Sequence, residues 1–268
     1  VMQFFFSRLG FILAVMLLSA ALPQSLYAQQ TDNTLESIKK SGVISIAVPQ
    51  DFPPFGSVGA DMQPVGYDID TARLIAKSLG VKLKLVPVTS TNRIPYLTTG
   101  KVDLVISSLG KNAEREKAID FSVAYAPFFN GVFGPADLKV ATAEDLAGKT
   151  LAVTRGAVED MELTKIAPAS TEIRRFEDNS STIAAYLSGQ VQMVATGNVV
   201  AASINGQNPY KHLEVKFLIK NSPCYIGLNK NEPELQKAVD DIITQAKKDG
   251  QLEAIAQTWL HTSLPQDF

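Results

Sequence analysis

The chain has 268 residues, of which 46% are hydrophobic and 19% charged, with a formal net charge of −2. That near balance argues against nucleic acid as a partner, since a phosphate-binding surface needs a strong basic excess. The single cysteine, Cys224, excludes an intrachain disulfide, so stability has to come from a packed core in two small lobes or one large domain.

The first 28 residues read as a secretory leader. Arg8 is the only charge before an apolar run from Leu9 to Leu22, too short for a typical span of about 20 apolar residues. Pro23, Ser25 and Ala28 then prepare a cut after Ala28. Cleavage there would leave 268 − 28 = 240 residues, with 25 − 1 = 24 basic residues against 27 acidic ones.

Thr34 to Lys40 reads as a short helix stopped by Gly42, and Val43 to Val48 as a buried β-branched strand. That strand runs into a proline-stiffened loop, Pro49 to Gly56, carrying Phe52 and Phe55. By themselves the two rings fit either an apolar ligand wall or the core. Tyr67-Asp68-Ile69-Asp70 opens a helix with acids at its positive end. Ile69, Ala72, Ile75, Ala76 and Leu79 form its apolar stripe, and Gly80 ends it. Lys82 to Val88 alternates as a strand does, and a second helix from Thr91 to Gly100 carries Arg93 in its first turn. The order strand–helix–strand–helix predicts a mostly parallel sheet covered on both faces.

Val102 to Ile106 is the next buried strand, and it empties into Ser107, Ser108 and Gly110. Asn112 is the expected N-cap of a following helix, with Arg115 in the first turn. A cation there opposes the helix macrodipole. Hydroxyls at a strand end, free helix N–H groups and a guanidinium make a receptor for a small carboxylate, and a solvated surface arginine is the alternative.

A weak repeat follows. Tyr96 to Val105 resembles Tyr186 to Val194, each the end of a helix, a glycine and a buried strand, and the second copy empties into Thr196, Gly197 and Asn198. Two related units about 90 residues apart suggest two lobes of one design, since a solenoid needs at least three copies. In the second unit, Thr142 to Asp145 has capping-box spacing for a short helix closed by Gly148. The strand Thr150–Thr154 ends in a glycine turn, Gly156-Ala157-Val158, into another helix. Ile173 to Phe176 reads as a strand, Ser180 to Ser188 as a helix capped by Asp178 or Ser180, Asn205 to Pro209 as a polar stretch, and His212 to Ile219 as a strand. Leu235, Ala238, Val239, Ile242, Ile243 and Ala246 form one stripe of a strong amphipathic helix. Gly250 stops it, and a shorter helix carries Trp259.

Motifs for catalysis are scarce: His212 and His261 lie away from the strand-to-helix loops, and no HExxH, GxSxG or cysteine pair occurs. Neither a metal nor a cofactor is called for. Glu159 and Asp160 are the natural acid/base candidates, against a reading as ordinary first-turn acids.

Pro53-Pro54-Phe55, Val65 to Asp70, Gly100 to Asp103, Arg115 with Asp120-Phe121-Ser122, Asp145 to Lys149, Tyr225 to Leu228 and the ending Asp249 to Leu260 occur in an order that resembles the solute-binding proteins of polar amino-acid ABC transporters. The resemblance implies an α/β, two-lobed periplasmic-binding-protein fold of type II, its lobes joined by two crossover strands. Lobe one would comprise residues 29–127 and 224–268, and lobe two residues 128–223. It implies a periplasmic monomer with an amino acid and a membrane permease as partners. Arg115 would clamp the ligand carboxylate, helped by the Ser108 hydroxyl and the Gly110 backbone with Ser107 also in the site, Phe52 and Phe55 would line the side-chain pocket, and Gly156, Ala157 and Val158 would face them. Arg93 sits where glutamate/aspartate binders hold a side-chain carboxylate, although their first-loop arginine is replaced by Pro49 and Gln50. Gly197, with Asn198 beside it, stands where many members carry the aspartate that holds the ligand ammonium, and Gly110 where they carry a hydroxyl. A cyclohexadienyl or arogenate-type dehydratase on the same fold is the alternative function, with Glu159 as general acid.

Overall fold

In the computed structural model, residues 33–268 are described, and the leader expected over residues 1–28 lies outside them. Helix α1 (Thr34–Ser41) leads into β1 (Val43–Pro49), and a small hairpin, β2 (Ser57–Val58) with β3 (Pro64–Val65), precedes α2 (Tyr67–Leu79). Asn33 caps α1 and accepts from the Glu36 N–H at 2.9 Å, while Gly42 and Gly80 end α1 and α2 in the left-handed conformation. Then come β4 (Lys82–Val88), α3 (Arg93–Thr98), β5 (Leu104–Leu109), α4 (Ala113–Ala118) and β6 (Asp120–Ala126). The second unit holds β7 (Phe129–Gly134), β8 (Thr150–Thr154), α5 (Val158–Ile166), β9 (Glu172–Phe176), α6 (Asn179–Leu187), β10 (Met193–Gly197), α7 (Asn198–Gln207) and β11 (Glu214–Asn221). The chain closes with β12 (Cys224–Leu228), α8 (Pro233–Lys248) and α9 (Gln251–Leu260).

Two five-stranded sheets result, ordered β4-β1-β5-β12-β6 and β11-β7-β10-β8-β9. In each, three adjacent strands run parallel: β4, β1 and β5 in the first, β10, β8 and β9 in the second. The remaining neighbours pair antiparallel, because these strands carry the chain between sheets instead of returning through a helix. The chain passes from first sheet to second between β6 and β7, and back between β11 and β12. This is the two-lobed α/β fold of type II. The last helices pack on the first unit, α8 against β6 and α1, and α9 against α2. Trp259 ties α9 down by donating its indole N–H to Asp70 at 2.7 Å.

Two local expectations need correction and one alternative is resolved. Residues Asn198–Gln207 form a helix, α7, beginning before the expected polar stretch; its buried Val200, Ala201 and Ile204 are a face recognisable only once the sheet beneath is known. The capping-box segment makes only a 3₁₀ turn, Glu144–Leu146, although the Asp145 carboxylate does reach back to accept from the N–H groups of Ala141 and Thr142 as a capping box requires. Of the two caps expected for α6, Asp178 is the one used, accepting from the Ser181 N–H at 2.7 Å.

Candidate functional site

The carboxyl ends of β1, β5, β8 and β10 point toward one crevice, which is where open α/β sheets bind ligands. The cavity there is lined from the first unit by Phe52, Arg93, Ser107, Ser108 and Gly110. From the second unit come Thr154, Ala157, Val158, Glu159, Asn179 and Thr196, with Phe128 and Asn130 from the crossover. It leaves about 30 Å³ for the centres of water-sized molecules.

Arg93 opens α3 and is 5% exposed. Its guanidinium turns to the end of β5, where Nη1 donates to the Ser107 carbonyl at 2.5 Å. Burial pulls its pKa down, while the Glu159 carboxylate pushes the other way. Nε of Arg93 is buried without a partner, as is Oδ1 of Asn130. Such orphaned groups are rare in native interiors and call for an explanation.

Ser108 adopts a positive φ of 41°, an unusual conformation for a residue with a side chain. Its N–H donates to Asp68 Oδ2 at 2.8 Å, and Tyr125 Oη donates to Oδ1 of the same carboxylate. Asp68 is fully buried, and desolvation raises its pKa to about 8 against the lowering effect of those two donors. The second residue of α2 thus supports the strand end that lines the site. Sequence reasoning placed Asp68 only as a helix-start acid; its spacing of four and seven residues from Ala72 and Ile75 of the apolar stripe was the available signal.

Arg115 is buried at the start of α4, and Asn112 caps that helix as expected, accepting from the Arg115 N–H at 2.9 Å. The guanidinium is not among the cavity-lining groups. Nη1 donates to the Gly110 carbonyl at 2.6 Å and Nη2 to the Gly156 carbonyl at 2.9 Å, so it bridges the two sides of the crevice. Burial, then the charge of nearby Arg93, lowers its pKa to about 9, which leaves it a cation at neutral pH. Of the two guanidiniums only that of Arg93 lines the cavity with an unpartnered donor, so it is the one placed to meet an anion there.

The aromatic pair divides. Phe52 lines the cavity, while Phe55 is fully buried behind it, stacked on Phe52 with centroids 6.0 Å apart and edge-on to Phe128 at 5.5 Å. The two unusual glycines have steric causes. A Cβ on Gly110 would lie 2.8 Å from Cγ2 of Val158, so the missing hydroxyl is displaced by a valine from the facing side. A Cβ on Gly197 would lie 1.9 Å from Cζ of Phe128, so that ring occupies the place of any side chain there. Neither Gly156 nor Gly197 lines the cavity. Gly156 makes the turn before α5 at φ 75°, its N–H held by Asp160 at 3.2 Å. Asn198 also points away and accepts from the Phe129 N–H at 3.0 Å, bracing the crossover.

The remaining groups at the crevice, Glu159 apart, had no strong sequence signal. Asn130 Nδ2 donates to Glu159 Oε1 at 2.7 Å, and burial raises the Glu159 pKa. Thr154 meets Asn179 and Thr182, each at 2.8 Å. Asp51 of the first loop accepts from the Ser180 N–H at 3.0 Å at the start of α6, a second tie across the crevice. Asn130 stood out in no motif, because its role depends on strand pairing that brings β7 beside β10. Among the described residues no cluster of metal-ligating side chains occurs, and no helix is long and apolar enough to cross a membrane.

The chain is 31% identical to the glutamine-binding protein of Geobacillus stearothermophilus over 213 residues, covering 77% of this chain and 80% of the relative. Among solved structures it resembles the cysteine-binding protein of Campylobacter jejuni, with a TM-score of 0.80 and 27% identity over 88% of this chain and 96% of the other. The ancestral amino acid-binding protein AncCDT-1, a precursor of cyclohexadienyl dehydratase, gives a TM-score of 0.77 and 31% identity, covering 85% and 99%. A family model spans residues 44–262, almost the whole of both lobes, and on that match the chain belongs to the bacterial extracellular solute-binding proteins, family 3.

Proposed function

We propose that this chain is the periplasmic binding component of an ABC transporter, capturing an amino acid between its lobes and delivering it to a membrane permease as a monomer. The observation that carries the reading is the buried Arg93, one donor unpartnered, facing a small crevice between the lobes of a family 3 protein. A guanidinium with a free N–H is suited to a carboxylate. Relatives named as binders of glutamine, cystine and glutamate/aspartate support the amino-acid class.

The ligand docks on lobe one, residues 29–127 and 224–268, while the crevice is open. Arg93, Ser107 and Ser108 receive the carboxylate, and Arg115, within reach of the ligand while lobe two, residues 128–223, stands open, takes up the Gly156 carbonyl again as the lobes close. Phe52 lies against the ligand, with Phe55 fixing its ring from behind. Closure turns on the two crossovers and brings Ala157 and Val158 over the ligand. Space for roughly two waters, at about 10–15 Å³ each, fits the need for such opening. The leader over residues 1–28 agrees with export.

The test is a thermal-shift screen against the common amino acids and related carboxylates. A ligand at about 100 times its Kd stabilises the fold by about 2.7 kcal/mol, a clear rise in melting temperature. A chain that shifts with none of them is not an amino-acid receptor. A dehydratase is the second reading, favoured by the buried Glu159 in the crevice, with its raised pKa. Release of product from prephenate or arogenate would establish it in place of binding alone.

A further inference from the structure

We propose that Glu159, together with the side-chain carbonyl of Asn130, receives the ammonium group of the ligand, opposite the carboxylate-binding end at Arg93. This rests on the amino-acid reading above and names the second pole of the same crevice.

Arg93 and Glu159 are each 5% exposed and line the same cavity. No ion pair joins them: the guanidinium goes to the Ser107 carbonyl and the carboxylate to the Asn130 amide. Two opposite charges held apart at low dielectric are costly unless something with matching charges lies between them.

The unpartnered atoms carry the same message. Arg93 Nε is a donor and Asn130 Oδ1 an acceptor, both buried and both on residues that line the cavity. Because Asn130 Nδ2 is committed to Glu159, the amide orientation is fixed and Oδ1 stays available. A molecule satisfying both orphans carries an acceptor at one end and a donor at the other. With a full cation behind the first and a carboxylate beside the second, that molecule is a zwitterion. The position at the end of β10 cannot supply the counter-ion, since the Phe128 ring fills the space beside Gly197. Glu159, at the first turn of α5 across the same cavity, can.

Titration calorimetry of the wild type, Glu159→Gln and Glu159→Asp tests this, with the L-amino acid that gives the largest thermal shift and its 2-hydroxy acid, in which a hydroxyl replaces the ammonium. Glutamine preserves the size of the side chain and its bond from Asn130, and unliganded melting temperatures check the fold. The expected result is a loss of about 100-fold in amino-acid affinity for Glu159→Gln, the scale of losing one partner of a buried charge pair. The hydroxy acid should change less than about threefold by the same reasoning, and Glu159→Asp should recover part of the loss. Equal losses for both ligands, or an amino-acid affinity unchanged in Glu159→Gln, overturn the assignment. A wild type that binds the hydroxy acid as tightly as the amino acid also overturns it while leaving solute capture standing. A wild type that responds to no amino acid instead refutes the capture reading on which it rests.

Discussion

Adding a single methyl group at Gly197 should destabilise the whole protein. In Gly197→Ala the new Cβ would stand 1.9 Å from Cζ of Phe128, 2.3 Å from Cε2 and 2.8 Å from Cε1, far inside van der Waals contact. The ring has little room to withdraw, because Phe128 is 7% exposed and lies edge-on against the fully buried Phe55. Overpacking of this kind costs about 1–3 kcal/mol, and a contact with a rigid ring belongs at the upper end. At about 2–4 °C per kcal/mol for a chain of this size, the melting temperature should fall by about 6–12 °C. Phe128→Ala should itself cost about 3–5 kcal/mol through the cavity it leaves. The double variant should nevertheless be more stable than the sum of the singles predicts, with a coupling of about 1–3 kcal/mol, because the obstacle and the intruding methyl are in direct contact. Urea and thermal unfolding of the four proteins measure the cycle. A Gly197→Ala protein melting within a degree or two of the wild type, or strictly additive penalties, would refute the steric account of this glycine.

Other outcomes follow from the same site. Arg93→Ala should cost ligand affinity directly, by about 2–5 kcal/mol, since it leaves a buried carboxylate unmatched; Arg93→Lys should recover only part, because a point charge does not reproduce the guanidinium fork. Calorimetric binding equal to wild type in Arg93→Ala would remove this residue from the site. Arg115→Ala should weaken binding and also loosen closure, since its two bonds join Gly110 to Gly156; small-angle scattering showing unaltered compaction would contradict the bridge. Asp68, raised to about 8 by burial, keeps a proton in the folded chain that the unfolded chain has lost above the ordinary carboxylate range. Stability from this group is therefore greatest at low pH and falls as pH rises toward 8, by up to about 1.4 kcal/mol per pH unit. Urea unfolding at pH 5 and pH 7 should show a smaller loss in Asp68→Asn than in the wild type, and identical losses would clear Asp68 of the effect. Trp259→Phe should lower stability by about 1 kcal/mol, the worth of its bond to Asp70, read as a shift in the urea midpoint.

The local grammar of this protein is written in short stretches of its chain. Asn33 and Asn112 cap their helices and Gly42 and Gly80 end theirs, because capping and left-handed turns are settled by a few neighbouring residues. The alternation of buried strands with helices, the repeated strand ends at Ser107 and Gly197, and the two-lobed fold were legible for the same reason: periodicity is short-range. Helix α7 was not, since the buried face of Asn198–Gln207 is defined only by the sheet it covers. The site divided along the same line. That Arg93, Ser107 and Ser108 share one crevice could be argued from strand ends, but the direction of a long guanidinium is decided by distant carbonyls. Arg93 turns to Ser107, while the carbonyls of Gly110 and Gly156 hold Arg115 across the crevice. Gly197 looks like a missing acid in the sequence, and what fills that space is settled by long-range packing, which sets the Phe128 ring against Gly197 and the Asn130 amide beside Glu159.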